Sequence, residues 1–218
     1  MAEELLTDDE QWDAIRRWTA ENGLWLVGGV ALGAALLFGY RYYDNHRNAQ
    51  ALDAATQFEA MTAAFDTNDR AAAKRAGEAL VKAYPATPYA DQAELLLARL
   101  SIDDGQDVNA VEALQRVVGG SKDPELRNVA RLRLARVQID QGKPDDAIAT
   151  LAAGEPGKFA AGYHDVRGDA FFAKKDPAGA AREYQAALDA SEPQAADRAL
   201  IELKLADLAT PATAKAAP

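Results

Sequence analysis

The two histidines are the side chains of this 218-residue chain best suited to acid–base or metal chemistry near neutral pH. His46 follows a long apolar run and His164 opens a predicted helix, and the sequence pairs neither with a nucleophile or a second metal ligand. The chain has no cysteine, which excludes thiol catalysis. Its glycine turns, Gly119-Gly120 and Gly154 to Gly157, lack a phosphate loop's Gly-Lys-Ser/Thr. We therefore expect no enzyme and no cofactor or metal; an enzyme would need titratable residues that are scattered in sequence but converge in the fold.

Two rows of side chains, one largely charged and one apolar, recur in the sequence at intervals of 37 and 33 residues. The first row is Arg99, Arg136 and Asp169, and the second is Ile102, Ile139 and Phe172. Regular arrays of this kind are typical of surfaces that bind peptides or proteins. We predict a partner-binding groove along both rows. The alternative for the apolar row is that it belongs to the core.

The rows lie on predicted helices that are separated by short turns. A small residue in the first helix of each pair is followed, 12, 16 and 19 residues later, by positions in the second helix that are mostly small, large and small. The starting residues are 34, 37 and 33 residues apart: Ala64, Ala98, Ala135 and Gly168. Thr87-Pro88, Asp123-Pro124, Pro144, Pro177 and Pro193 open helices, and Gly105 and Gly142 close them. The pattern predicts an all-α fold with a tetratricopeptide-like α-solenoid of about four helix pairs over residues 44–209.

A charge-free run from Asn22 to Tyr40, 19 residues long, precedes the repeats. As a helix it reaches about 28 Å, close to the hydrocarbon thickness of a lipid bilayer. We predict a transmembrane signal-anchor over residues 23–43 that is not cleaved and runs on into the first repeat helix. Small residues on it form two rows where other membrane helices could dock: Gly29 and Gly33, then Ala31, Ala35 and Gly39.

The segments outside these two regions are short. Residues 1–22 form an acidic leader, in which Thr7 and Glu10 fit a capping box and Trp12, Ile15 and Trp18 share one helical face. We expect a short helix at the membrane interface that ends at Asn22-Gly23; the alternative is a solvated leader. Residues 210–218 are expected to be disordered.

Charge sets two further expectations. The net charge of −10 disfavours nucleic acid as a partner. Arg16 and Arg17 before the apolar run balance Arg41 and Arg47 after it, so the positive-inside rule leaves the orientation open.

The order of these features resembles the YfgM family, the ancillary subunits of the bacterial SecYEG translocon. The resemblance is carried by AENG before the span, RYYDNH after it, and LRLARVQ and VRGD in the last two repeats. It implies an inner-membrane protein with a cytoplasmic N-terminus and a periplasmic repeat domain. It also implies a non-enzymatic scaffold that works with a PpiD-like membrane-anchored periplasmic chaperone on newly exported polypeptides. A regulatory adaptor that sequesters a cytoplasmic signalling protein through the leader is the alternative function.

Overall fold

The computed structural model describes residues 8–192, Ala195 and residues 197–209, and these residues contain helices and no strand. The helices are α1 (Asp8–Asp66), α2 (Arg70–Ala83), α3 (Pro88–Asp103), α4 (Asp107–Gly120), α5 (Pro124–Asp140), α6 (Pro144–Ala152), α7 (Ala160–Ala173), α8 (Pro177–Ala190) and α9 (Arg198–Ala209), with a single 3₁₀ turn at Gly157–Phe159. The all-α prediction is therefore confirmed.

Helix α1 contributes to both compact units of the chain, which divide between Leu52 and Asp53. The predicted helix end at Asn22-Gly23 is wrong, because α1 continues through both residues. The Asn22 amide donates to the carbonyl of Trp18, 3.0 Å away, as a side chain inside a helix can, so it does not terminate the helix. The continuation of the apolar run into the first repeat helix is confirmed.

Local capping explains where the repeat helices begin. The side chains of Asp69, Thr87, Asp123 and Asp176 each accept a hydrogen bond from a backbone N–H in the first turn of the following helix. Proline occupies the first turn of α3, α5, α6 and α8, where its missing N–H costs nothing. The predicted starts at Pro88, Pro124, Pro144 and Pro177 are confirmed.

The unit from Asp53 onward consists of helix pairs. The end of α1 pairs with α2, and α3–α4, α5–α6 and α7–α8 follow, each pair packing on the next, with α9 packing on α8. Among the first helices, α5 also contacts both α3 and α7. The predicted succession of about four pairs is confirmed.

Each first helix ends in the same backbone geometry, which defines the repeat register. Each of the four first helices ends at a residue with positive φ: Asn68 (59°), Gly105 (69°), Gly142 (73°) and Lys175 (62°). Its N–H donates to the carbonyl three residues earlier, and the next N–H donates to the carbonyl five residues earlier, which satisfies the last carbonyls of the helix. Counting back seven residues from each gives Met61, Ala98, Ala135 and Gly168.

The predicted start of the first pair, Ala64, is therefore wrong by three residues. Met61 is fully buried, whereas Ala64 is only half-buried. Steps of 12, 16 and 19 residues from Met61 reach Ala73, Gly77 and Leu80, which are all buried. A Cβ at Gly77 would meet the side chain of Met61 at less than 3.0 Å. In this pair the large residue is on the first helix and the small one on the second, the reverse of the predicted pattern.

The other pairs follow the predicted pattern of packing. Ala98 and Ala110 are fully buried with Leu114 between α3 and α4. In the last pair, a Cβ at Gly168 would lie closer than 3.0 Å to the ring of Tyr184. Small residues thus let paired helices approach while a large neighbour fills the space beside them.

The C-terminal helix begins later than predicted. Ala195 and Asp197 are not helical, and α9 begins at Arg198, whose guanidinium donates to the carbonyl of Leu188 at 2.9 Å. Hydrogen-bonded turns that end at Ala195 and Arg198 come before α9, so the helix start predicted near Pro193 is wrong. Pro193 itself, the Thr7 capping box and the tail from 210 to 218 lie outside the described residues.

Candidate functional site

The sequence predicted two candidate surfaces, one on the apolar part of α1 and one on the exposed side of the first helices. The most apolar 18-residue window of α1 has a mean hydropathy of 1.7 and none of it is buried. By length and composition, α1 is the one helix of the described residues that could cross a membrane. A Cβ added at Gly29, Gly33 or Gly39 would meet nothing within 4 Å, so these positions are open to another helix. Ala31 and Ala35 are exposed as well. Docking at these positions remains a prediction.

The second surface, which we call the inner face, is the exposed side of α3, α5 and α7 together with the end of α1. Arg99 and Arg136 are exposed on it at equivalent register positions. The guanidinium of Arg99 stacks over the ring of Phe65 at 5.2 Å from the ring centre, which links the first two pairs. The guanidinium of Arg136 lies 3.9 Å from the carboxylate of Asp165 on the next first helix.

Asp169, the third member of this row, has a different environment. Its carboxylate accepts hydrogen bonds from the Tyr184 hydroxyl at 2.8 Å and from Lys204 at 2.7 and 2.9 Å. Lys204 also donates to Asp165 at 2.7 Å. Burial lowers the pKa of Lys204, but hydrogen bonds to Asp165 and Asp169 outweigh it, and the pKa is raised overall. Asp169 therefore holds α9 against α7, and a partner-binding role for it remains a prediction.

The apolar row is largely exposed. Ile102 is 40% exposed and Phe172 is 57% exposed, whereas Ile139 is half-buried against the core of the third pair. The corrected register adds Phe65 at the same position of the first pair. Each of the four stands three residues before the positive-φ residue that closes its helix. Ile102 and Phe172 are therefore surface residues, which the core alternative did not expect; binding of a partner by the row remains a prediction.

Arg133 belongs to this surface and was not predicted from the sequence. It lies on α5, one turn before Arg136, and donates to the carbonyl of Leu95 at 3.3 Å. Desolvation lowers the pKa of Arg133, and the positive charges of Arg99 and Arg136 lower it further. Arg99, Arg133 and Arg136 thus form a cluster of like charge, which we call the arginine cluster. Its spacing of three residues on α5 was visible in the sequence, but its neighbour Arg99 comes from another helix.

Acidic side chains border the arginine cluster. Asp103 and Asp140 stand one helical turn beyond Arg99 and Arg136, and Arg70 lies 3.7 Å from Asp103. A hollow of about 360 Å³ lies here, lined by Phe65, Asp66, Asn68, Arg70, Arg99 and Asp103. The inner face therefore carries a positive band and, beside it, a negative one.

The histidines take part in ordinary surface contacts. His46 lies 3.2 Å from Gln50 on the same helix, and His164 Nδ1 lies 2.8 Å from the Glu183 carboxylate, which Arg167 also approaches. Among the described residues, no group of three or more acidic, histidine or cysteine side chains is arranged to hold a metal ion.

Comparison with known proteins gives the same overall architecture. A family model described as "Tetratricopeptide repeat-like domain" matches residues 16–210. A protein of Escherichia coli (strain K12) named "Ancillary SecYEG translocon subunit" is 31% identical over 183 residues, which cover 82% of this chain and 86% of that protein. Proteins of the same name are 28% identical in Haemophilus influenzae, over 84% of this chain and 89% of that protein, and 26% identical in Neisseria gonorrhoeae, over 93% and 98%.

Proposed function

Because this chain belongs to the tetratricopeptide repeat-like family of ancillary SecYEG translocon subunits, we propose that it is a non-enzymatic scaffold anchored in the bacterial inner membrane beside the Sec translocon. One observation carries the proposal. The same chain holds an apolar helical segment with no buried residue in its most apolar window and a domain of helix pairs. The first suits a place among membrane helices, and the second suits the binding of protein segments.

The orientation and the partners follow from the family resemblance. We propose that the N-terminus is cytoplasmic, that the span is an uncleaved signal-anchor, and that the repeat domain is periplasmic. There it works with a PpiD-like membrane-anchored chaperone on newly exported polypeptides. The physical role of the scaffold is to raise the local concentration of these partners at the exit of the translocon.

Docking in the membrane can be tested by filling the small-residue rows. Leucine at Gly29 and Gly33 keeps the span apolar but prevents close approach of another helix. We expect the double substitution to reduce recovery of translocon subunits with the tagged full-length chain after mild detergent extraction. The control replaces Val30, which lies on neither row, with leucine. Equal recovery with both variants would argue against docking through Gly29 and Gly33, and absence of translocon from every sample, the wild type included, would contradict the proposed function.

The orientation can be tested by cysteine labelling, because the chain has no cysteine of its own. A single cysteine at Trp12 reports on the leader and one at exposed Asp146 reports on the repeats. A membrane-impermeant maleimide added to spheroplasts should label the variant at Asp146 and leave the variant at Trp12 unlabelled. The reverse pattern would place the repeats in the cytoplasm and overturn the proposed orientation.

The second candidate function is a regulatory adaptor that holds a cytoplasmic signalling protein through the leader. Trp12, Ile15 and Trp18 are exposed on α1, and this observation favours it. Such a stripe fits either a membrane interface or a protein groove.

A further inference from the structure

The arginine cluster is a positive site on an acidic protein. The chain has a net charge of −10, yet Arg133 and Arg136 on α5 lie beside Arg99 on α3. Arg133 donates to the carbonyl of Leu95, one helical turn before Arg99, at 3.3 Å. Among the described residues, neither Arg99 nor Arg133 has a carboxylate within 4.0 Å, and Arg136 has only Asp165 at 3.9 Å. The cluster is exposed, so its guanidinium groups can reach a ligand.

The cluster is electrostatically unfavourable in the free protein. Burial lowers the pKa of Arg133 most, and the positive charges of Arg99 and Arg136 lower it further. An anion placed among the three groups would relieve this repulsion, and guanidinium groups bind carboxylates with two parallel hydrogen bonds. A carboxylate is therefore the ligand group that fits.

The apolar row tells what kind of chain carries the carboxylate. Ile102, Ile139 and Phe172 stand three residues after Arg99, Arg136 and Asp169, so each first helix offers one apolar side chain beside the charged row. Packed helices stand about 8–10 Å apart. An extended segment in the polyproline II conformation advances about 3.1 Å per residue with three residues per turn, so side chains three residues apart lie on the same side and about 9 Å from each other. Such side chains would meet successive first helices.

The aspartates beside the arginine cluster also restrict the class of ligand that can bind. Asp103 and Asp140 lie one turn from the arginines, so a ligand with negative charge along its whole length would be repelled at the edge of the cluster. This disfavours polyanions such as nucleic acid. It favours a polypeptide in which acidic side chains alternate with apolar and neutral ones.

We propose that the arginine cluster binds acidic side chains, spaced about three residues apart, of an extended segment of a newly exported polypeptide, and that Ile102 and its row hold the apolar residues between them. The identity of this ligand rests on the proposed function, because a chain that leaves the translocon is unfolded and supplies such segments.

Binding can be measured by fluorescence anisotropy with the full-length chain in nanodiscs. The probe is a fluorescein-labelled peptide that repeats Glu-Leu-Ser, compared with a Gln-Leu-Ser peptide and with a peptide of the same composition whose glutamates are grouped at one end. The Glu-Leu-Ser peptide should bind most tightly, and its Kd should rise several-fold when salt is raised from 50 to 500 mM. Equal affinity for the Glu and Gln peptides, or a salt-independent Kd, would overturn the proposal.

Substitutions locate the site. Changing both Arg99 and Arg133 to glutamine should weaken binding about three- to tenfold, as expected for two exposed charge pairs. The matched control is Arg182→Gln, an exposed arginine on α8 that should leave the affinity unchanged. Equal effects of the two changes would place the site elsewhere. Thermal unfolding of each variant checks that it is folded. If the double variant does not fold, the salt dependence of the Kd of the wild-type chain for the Glu-Leu-Ser peptide tests the proposal instead.

The source of the ligand is tested separately in cells. A photocrosslinking amino acid at Ile102 should capture exported polypeptides while they are being secreted, and a crosslink to a folded membrane protein alone would refute this occupant. Failure of peptide binding with translocon recovery intact would reject the inference and leave the proposed function standing. Peptide binding without any translocon association would support the inference about the arginine cluster and reject the proposed function.

Discussion

Replacing Gly168 with alanine tests the close crossing of α7 and α8 on which the fourth pair depends. The added Cβ would lie closer than 3.0 Å to the ring of Tyr184, which is 3% exposed and is held by the hydrogen bond from its hydroxyl to Asp169. Overpacking of a core lowers the free energy of unfolding by about 1–3 kcal/mol. Alanine in place of glycine within a helix raises it by about 1 kcal/mol. We expect a net loss of about 1 kcal/mol in the free energy of unfolding.

The same helix provides a control of opposite sign. A Cβ at Gly162 would lie 3.5 Å from Leu132, an ordinary contact, so Gly162→Ala should keep the helical gain of about 0.5–1 kcal/mol. For a domain of this size, 1 kcal/mol corresponds to a shift in Tm of about 2–4 °C. Circular dichroism of the full-length chain in detergent should therefore show Gly168→Ala melting below the wild type and Gly162→Ala melting above it. A shift of both variants in the same direction would refute the packing account.

Three other predictions concern charge and the leader. Burial and the hydrogen bond to Asp169 raise the pKa of Tyr184, so the folded chain keeps a proton that the unfolded chain releases near pH 10. Above about pH 10 the free energy of unfolding should therefore fall, by about 1.4 kcal/mol per pH unit from this group. Urea titrations at pH 9 and pH 11 should show a smaller fall between the two pH values in Tyr184→Phe than in the wild type. Glu94 is 4% exposed, and its carboxylate accepts two hydrogen bonds from Arg116, at 2.5 and 2.8 Å. Arg116→Leu should therefore lower the free energy of unfolding by about 1–3 kcal/mol, and a loss equal to that of Arg75→Leu on the exposed surface would contradict this. Deleting residues 1–21 should leave chaperone association intact if the repeats bind the chaperone; loss of signalling control alone would favour the adaptor function.

Features set by local interactions could be predicted from the sequence. Asp and Thr caps with the prolines that follow them specify helix starts within a few residues, and Gly105 and Gly142 specify helix ends, because each acts through neighbouring backbone groups. Asn68 and Lys175 close the equivalent helices with positive φ, a conformation that glycine adopts most readily. For that reason only two of the four ends were visible.

Three features that depend on contacts between helices could not be predicted. Met61 and Ala64 lie on nearby parts of one helix face, and only the packing against Gly77 shows which of them crosses α2. Asp169 shares its register position with Arg99 and Arg136, but Lys204, 35 residues later, binds its carboxylate. Arg133 joined the candidate site because Arg99, on another helix, stands near it.

The most direct test of the central claim is photocrosslinking from within the span of the full-length chain in native membranes. The photoreactive amino acid is placed at Gly29 in one variant and at Val30, which lies on neither small-residue row, in the other. A membrane scaffold at the Sec translocon should give a crosslink from Gly29 to a translocon subunit or to a chaperone helix, and a weaker one from Val30. Crosslinks from both positions to lipid alone would contradict the account.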